Sequence, residues 1–204
     1  MPDENSAERL RLFVAITIPD AIREEMIRVQ RDLKPLVPRS AVRWARPEQF
    51  HLTLRFLGDV PSERVGGLRE SVRVVCADAP AVPLRAEGVG FFPNARSPRV
   101  IWIGISDDEN RLVNLQRKIE NAVQPFTTEQ GGERFAGHVT LGRFKQLNRF
   151  DINGLTNESE AMKNRIFGEW TAREIEIIRS ELSPTGARYT SLAAFPLGAK
   201  IEPL

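Results

Sequence analysis

Apolar residues along the chain follow two periods. Alternating or continuous apolar stretches occur at 9–18 (RLRLFVAITI), 50–58 (FHLTLRFLG), 84–92 (LRAEGVGFF), 99–105 (RVIWIGI), 134–144 (RFAGHVTLGRF), 174–182 (EIEIIRSEL) and 188–197 (RYTSLAAFPL). Their length and turn-forming borders predict strands, with one more short strand at 42–44. Elsewhere the spacing is helical. Ile22, Met26, Val29 and Leu33 form one stripe after Pro19 and Asp20, and Pro35 and Pro38 close it. Pro61 and Ser62 open a second helix carrying Val65, Leu68, Val72 and Val75, which Gly66 and Gly67 weaken by about 1 kcal/mol each relative to Ala. Asp107 and Asp108 open a third, with Leu112, Leu115, Ile119 and Val123 on its buried side. Residues 93–98 (PNARSP), 130–133 (QGGE) and 183–186 (SPTG) read as turns, and 148–164 as a polar loop with a short helix.

Strands in neighbouring pairs with segregated helices predict an α+β protein. The fragments HLTLRF at 51 and HVTLGRF at 138 echo one another, each with a helix upstream in its own half. Two copies of one small unit facing each other would produce that echo. Residues 1–204 are therefore expected to form one domain of two pseudo-symmetric lobes, each contributing one motif (51–54 and 138–141) to a central cleft.

Composition narrows the picture only slightly. The chain has 204 residues, 41% hydrophobic and 27% charged, enough apolar material for a core. A net charge of +2 permits an anionic ligand without announcing a nucleic-acid coat. The one cysteine, Cys76, excludes an intrachain disulfide framework and reads as a small buried hydrophobe. No stretch approaches the roughly 20 apolar residues of a membrane span, and the acidic Asp3, Glu4 and Glu8 do not suit a secretory leader. The expectation is a cytoplasmic monomer.

The chemistry lies in the histidines. There are two, and both begin an apolar-bracketed H-x-T strand. With nine threonines in the chain, that pairing is a coincidence of roughly 1 in 500. Residues two apart in a strand share a face, so His51 stands beside Thr53 and His138 beside Thr140, while Leu52, Leu54, Val139 and Leu141 turn to the core. Two groups titrating near neutral pH, each next to a hydroxyl donor, can act as general base and general acid around a phosphate. The sequence has no H-x-x-x-H or C-x-x-C, so no metal or other cofactor is expected. It also lacks a G-x-S-x-G elbow and the glycine-rich nucleotide fingerprints.

These motifs resemble the 2H phosphoesterase superfamily, and the whole chain is similar to its RNA 2′,3′-cyclic phosphodiesterase branch, the 2′-5′ RNA ligase-like proteins. The likeness runs through RLFVAITIP, RW followed by PEQFHLTLRFLGDV, GFFPNARSPRVIWIGI, HVTLGRFK and EIEIIRSELSPTGARYTSL. It implies a bilobal fold and metal-free hydrolysis of an RNA terminal 2′,3′-cyclic phosphate to a 2′-phosphomonoester. It also implies that His51 is the proton donor and His138 the acceptor, an assignment the near-equivalent motifs do not make by themselves. The family commonly has proline before the second histidine. Gly137 stands here instead, which implies a less rigid His138.

Arg143 occupies the place of a phosphate-contacting arginine in that family. Strict alternation would put it on the face opposite His138, so a bulge is required, with Gly142 the candidate position. Arg55 shares the His51 face by parity and is a second candidate ligand. Trp44, Phe91, Phe92, Trp102 and Tyr189 are candidates for base stacking or core packing. Asp107, Asp108 and Glu109 read as a solvated helix start. Ligation of 2′-5′ RNA ends, hydrolysis of small cyclic nucleotides and non-catalytic RNA binding are the alternative functions.

Overall fold

The computed structural model describes residues 8–129, 135–145, 153–183 and 186–199. The chain runs β1 (Arg9–Thr17), α1 (Asp20–Leu33), β2 (Val42–Trp44), β3 (His51–Pro61), α2 (Val65–Ala77), β4 (Val82–Phe92), β5 (Val100–Ser106), α3 (Arg111–Val123), β6 (His138–Phe144), α4 (Asn153–Ala161), β7 (Ile166–Ala172), β8 (Glu174–Ser183) and β9 (Gly186–Pro196). It is a mixed α+β fold. All strand pairs are antiparallel, in one sheet of order β3-β1-β8-β9 and another of order β2-β6-β5-β4-β7.

The two sheets share a plan. In each, the strand carrying H-x-T lies beside the strand that precedes it across a helix: β3 beside β1, and β6 beside β5. Two further strands complete each sheet on the far side, β8 and β9 in one, β4 and β7 in the other. Only β2, outside β6, lacks a counterpart.

The first helix of each half crosses to the opposite sheet. α1 follows β1 yet packs on β7, and α3 follows β5 yet packs on β3. Their apolar stripes explain the burial. Ile22, Met26, Val29 and Leu33 are buried on α1, and Leu112, Leu115, Ile119 and Val123 on α3. The core between helices and sheets is continuous and includes Leu52, Leu54, Val139 and Leu141. Cys76 is buried in it, and that burial pushes its thiol pKa up to about 12.

Three expectations change. α3 begins at Arg111, because the Asp107 carboxylate accepts the backbone N–H groups of Arg111 (2.7 Å) and Leu112 (3.0 Å) and so caps the helix from outside. β3 does not end at Gly58. That residue adopts φ +68° beside a bulge, and the strand continues to Pro61. β7 has no counterpart in the sequence reading. It is an edge strand broken in pattern by Gly168 at φ +146°. The QGGE turn and Pro184–Thr185 of the SPTG turn lie outside the described residues. No helix among the described residues is long and apolar enough to cross a membrane.

Candidate active site

β3 and β6 approach each other where the sheets meet, and a cleft of about 360 Å³ opens over them. His51, Thr53 and Phe56 enter it from one strand, and His138, Thr140 and Arg143 from the other. Arg11, Arg43, Trp44 and Tyr189 are among its other walls, and no carboxylate lines it among the described residues. A larger concavity of about 690 Å³ lies beyond Trp102 against α4, but it holds neither histidine and includes Glu87 and Glu160, a poor setting for an anion.

A bulge follows the threonine in both motifs. Across β1 and β3 the pairing steps from Ala15↔Thr53 to Val14↔Arg55, leaving Leu54 as the extra residue. Across β5 and β6 it steps from Trp102↔Thr140 to Ile101↔Gly142, leaving Leu141 extra. Each bulge reverses the alternation beyond it. Arg143 is thereby brought onto the His138 face, as its proposed role requires, although the extra residue is Leu141 rather than Gly142. The same device overturns the parity expected for Arg55. Its guanidinium turns away to Glu120 (3.6 Å) and the Glu129 carbonyl, and Phe56 takes the cleft position.

Both bulges are held by a buried glutamine from the helix that crosses over. Gln30 Nε2 on α1 donates to the Leu141 carbonyl (2.8 Å) and the Ala45 carbonyl (2.8 Å), and the Ala45 N–H also reaches Leu141 O (2.9 Å). Gln116 Nε2 on α3 donates to the Leu54 carbonyl at a longer 3.4 Å and to Glu120 at 2.6 Å. Gln30, Gln116 and Ser159 are the buried polar side chains among the described residues, so two of the three serve the two motifs. Sequence reading missed both glutamines. Their signal is a long polar side chain one residue from an apolar stripe.

The histidines differ in their surroundings. His138 Nδ1 lies 2.8 Å from the Ala136 carbonyl. A carbonyl only accepts, so in the neutral ring Nδ1 carries the proton and Nε2 keeps its lone pair. Phe92 packs edge-on against this ring at 4.9 Å, with Trp102 at 6.4 Å. His51 lies between Phe13 (4.7 Å) and Tyr189 (5.1 Å, edge-on), and its buried Nδ1 makes no hydrogen bond of good geometry. Burial drives the His51 pKa down to about 4, with the His138 and Arg143 charges acting in the same sense and the Gln49 carbonyl opposing them. His138 is also lowered from 6.5 by burial and by Arg143, against the pull of the Ala136 carbonyl. Both imidazoles are thus neutral at pH 7.

Gly137 is placed by close approach. A Cβ there would lie 2.4 Å from the Ile105 carbonyl, while the Gly137 carbonyl accepts the Ile105 N–H at 2.8 Å. This bond and the Ala136–His138 contact brace the start of β6, contrary to the looser His138 expected. Among the aromatic candidates, Trp44 and Tyr189 line the cleft, Phe92 and Trp102 flank His138, and Phe91 is buried. Arg11 and Arg43 were missed. The alternation of Arg11, Phe13, Ala15 and Thr17 contained the signal for the first. No group of three or more His, Cys, Asp or Glu side chains is placed to hold a metal among the described residues.

Two hydroxyls, two imidazoles and a guanidinium thus share one cleft, with no carboxylate among its described lining residues. Residues 16–102 match the family described as LigT like phosphoesterase. An RNA 2′,3′-cyclic phosphodiesterase of Archaeoglobus fulgidus is 33% identical over 186 residues, covering 91% of this chain and 99% of the relative. One from Methanothermobacter thermautotrophicus is 31% identical, covering 93% and 100%. The crystal structure of a Thermus thermophilus protein superposes with a TM-score of 0.76 at 26% identity, covering 94% of this chain and all of the other. Escherichia coli LigT complexed with 3′-AMP gives 0.72 at 26% identity, covering 93% and 99%. The chain belongs to the LigT-like phosphoesterase family and is an enzyme.

Proposed function

We propose that the enzyme hydrolyses a terminal 2′,3′-cyclic phosphate on RNA to a 2′-phosphomonoester, with the two histidines as its acid and base and with no metal ion. The carrying observation is that β3 and β6 present His51, Thr53, His138 and Thr140 to one cleft and the bulge at Leu141 adds Arg143, whose charge acts on both imidazoles. The curated relatives named above supply the substrate class.

His138 suits the base. Its Nδ1 proton is committed to Ala136, so Nε2 is the atom available to take a proton from water. The water oxygen then bonds to phosphorus, the bond from phosphorus to the 3′ oxygen breaks, and His51 protonates that oxygen. Thr53, Thr140 and Arg143 hold the non-bridging oxygens as charge accumulates there. Burial, with the charge of Arg143 nearby, keeps His51 neutral at pH 7. A phosphate anion beside it reverses the sign of the local field, so proton uptake accompanies substrate binding.

The test is hydrolysis of a short RNA ending in a 2′,3′-cyclic phosphate in EDTA, by wild type and His138→Ala. Release of a 2′-phosphate by wild type alone supports the reading. A requirement for a divalent ion overturns the metal-free mechanism, and no turnover by wild type overturns the function. A 2′-5′ joined product exceeding hydrolysis, when 5′-hydroxyl ends are supplied, would replace it with ligation.

A further inference from the structure

Three arginines line the cleft, and they are not equivalent. Arg143 lies on β6 with His138 and Thr140, and its charge lowers the pKa of both histidines. Arg11 and Arg43 enter the same cleft from β1 and β2, and all three charges act on the Tyr189 hydroxyl against the effect of burial.

Arg43 is directly opposite Arg143 in the antiparallel pairing of β2 with β6. Side chains so placed share a face with Cβ atoms about 5 Å apart, and like charges there destabilise the pair. Among the described residues, no carboxylate forms an ion pair with Arg11, Arg43 or Arg143, and none lines the cleft. The guanidinium of Arg43 reaches across the cleft to the other sheet, where a Cβ on Gly186 would lie 3.3 Å from Nη2. Arg11 comes from β1 of that same sheet, so two further cations without a carboxylate partner share the cleft with Arg143. A single phosphate at the histidines satisfies Arg143 and leaves these two without a counter-ion.

We propose that Arg11 and Arg43 bind the phosphodiester one nucleotide upstream of the reacting terminus, so that the site selects the end of an RNA strand over a free cyclic mononucleotide. The inference rests on the cyclic-phosphate reading above. The upstream phosphate is the nearest second anion such a substrate carries, and bidentate guanidinium contacts are suited to it. The exposed apolar Phe56 and Leu182 at the rim leave room for bases beside that backbone.

The experiment compares kcat/KM for a 2′,3′-cyclic mononucleotide, a dinucleotide ending in the same group, and that dinucleotide with a neutral methylphosphonate linkage. Wild type is expected to prefer the charged dinucleotide over the other two by roughly 10- to 100-fold, the range of charge-assisted hydrogen bonds. The preference should weaken with salt. In Arg43→Gln and Arg11→Gln the ratio of dinucleotide to mononucleotide should fall toward one. Equal efficiency on charged and neutral linkages by wild type overturns the inference and leaves the hydrolytic function intact, and this arm needs no variant to fold. An unchanged ratio in both variants also overturns it. Hydrolysis of none of the three substrates overturns the functional reading and this inference together.

Discussion

The motif on β3 and the motif on β6 begin alike and then diverge. Both run H-x-T-Leu, both bulge at the leucine, and both have the bulge bonded by a glutamine from a crossing helix. After the bulge, the first half continues with Arg55 and Phe56, the second with Gly142 and Arg143. Arg55 fits because its side chain runs beneath the strand to Glu120, itself bonded to Gln116. Gly142 occupies the matching place because β2 covers it: a Cβ there would meet Val42 at 2.7 Å and Trp44 at 3.2 Å. The extra strand thus excludes a side chain from one half and delivers Arg43 in its stead. One half turns an apolar ring into the cleft, the other a cation. Two sheets of similar plan thus present unlike faces.

The largest expected effect comes from deleting either histidine. His51→Ala and His138→Ala should each lower kcat by about 10²- to 10⁴-fold, the usual worth of general acid or base catalysis. A cyclic substrate with sulfur as the 3′ bridging atom sharpens the comparison, because a thiolate leaves without protonation. It should restore activity to His51→Ala and not to His138→Ala, and the reverse result would exchange the two roles.

Next in size is the pH response. The acid must be protonated and the base neutral, so the pair must hold one proton, with His51 pushed down to about 4 and His138 lowered from 6.5. The sign follows: kcat/KM should peak between about pH 4 and 6.5 and fall about tenfold per unit on the alkaline side, as the pair loses that single proton. A pH profile in chelator measures this, and a maximum above pH 7.5 would contradict neutral histidines in the free enzyme. The kcat profile should lie higher in pH, since bound phosphate favours both imidazolium forms.

Smaller effects separate the two braces. Gln30→Leu leaves the Ala45 carbonyl without its side-chain donor and the Leu141 carbonyl with the Ala45 N–H alone, and should cost about 1–3 kcal/mol in chemical unfolding, with loss of activity. Gln116→Leu breaks a longer bond and should cost less. Equal costs would mean that the braces are equivalent despite their different lengths. Smallest of all is Arg55→Gln. A partly exposed ion pair is worth up to about 1 kcal/mol, so melting should shift slightly and turnover less than about twofold. A large loss of substrate affinity would restore Arg55 to the site.

Legibility in the sequence tracks how local each feature is. Strand and helix periods and the two H-x-T faces depend on residues a few positions apart, and most of the secondary structure follows them. The bulges do not. Leu54 and Leu141 lie in unbroken alternation, and what displaces them is a hydrogen bond from a helix 62 positions away in one case and 111 in the other. That is why parity misplaced Arg55, and why Arg143 needed the help of a resemblance. Arg43 was hidden for a related reason: its importance comes from lying opposite Arg143 across a strand pair that only the folded chain creates.

The exchange of α1 and α3 between sheets bears on how the two sheets are held together. Each of the two helices packs on the sheet that its glutamine serves while its chain runs straight out of the other, so rotating one sheet away would strain the β1–α1 and β5–α3 connections together. The two jaws are therefore tied to one another at both ends of the cleft by the same helices that hold the bulges.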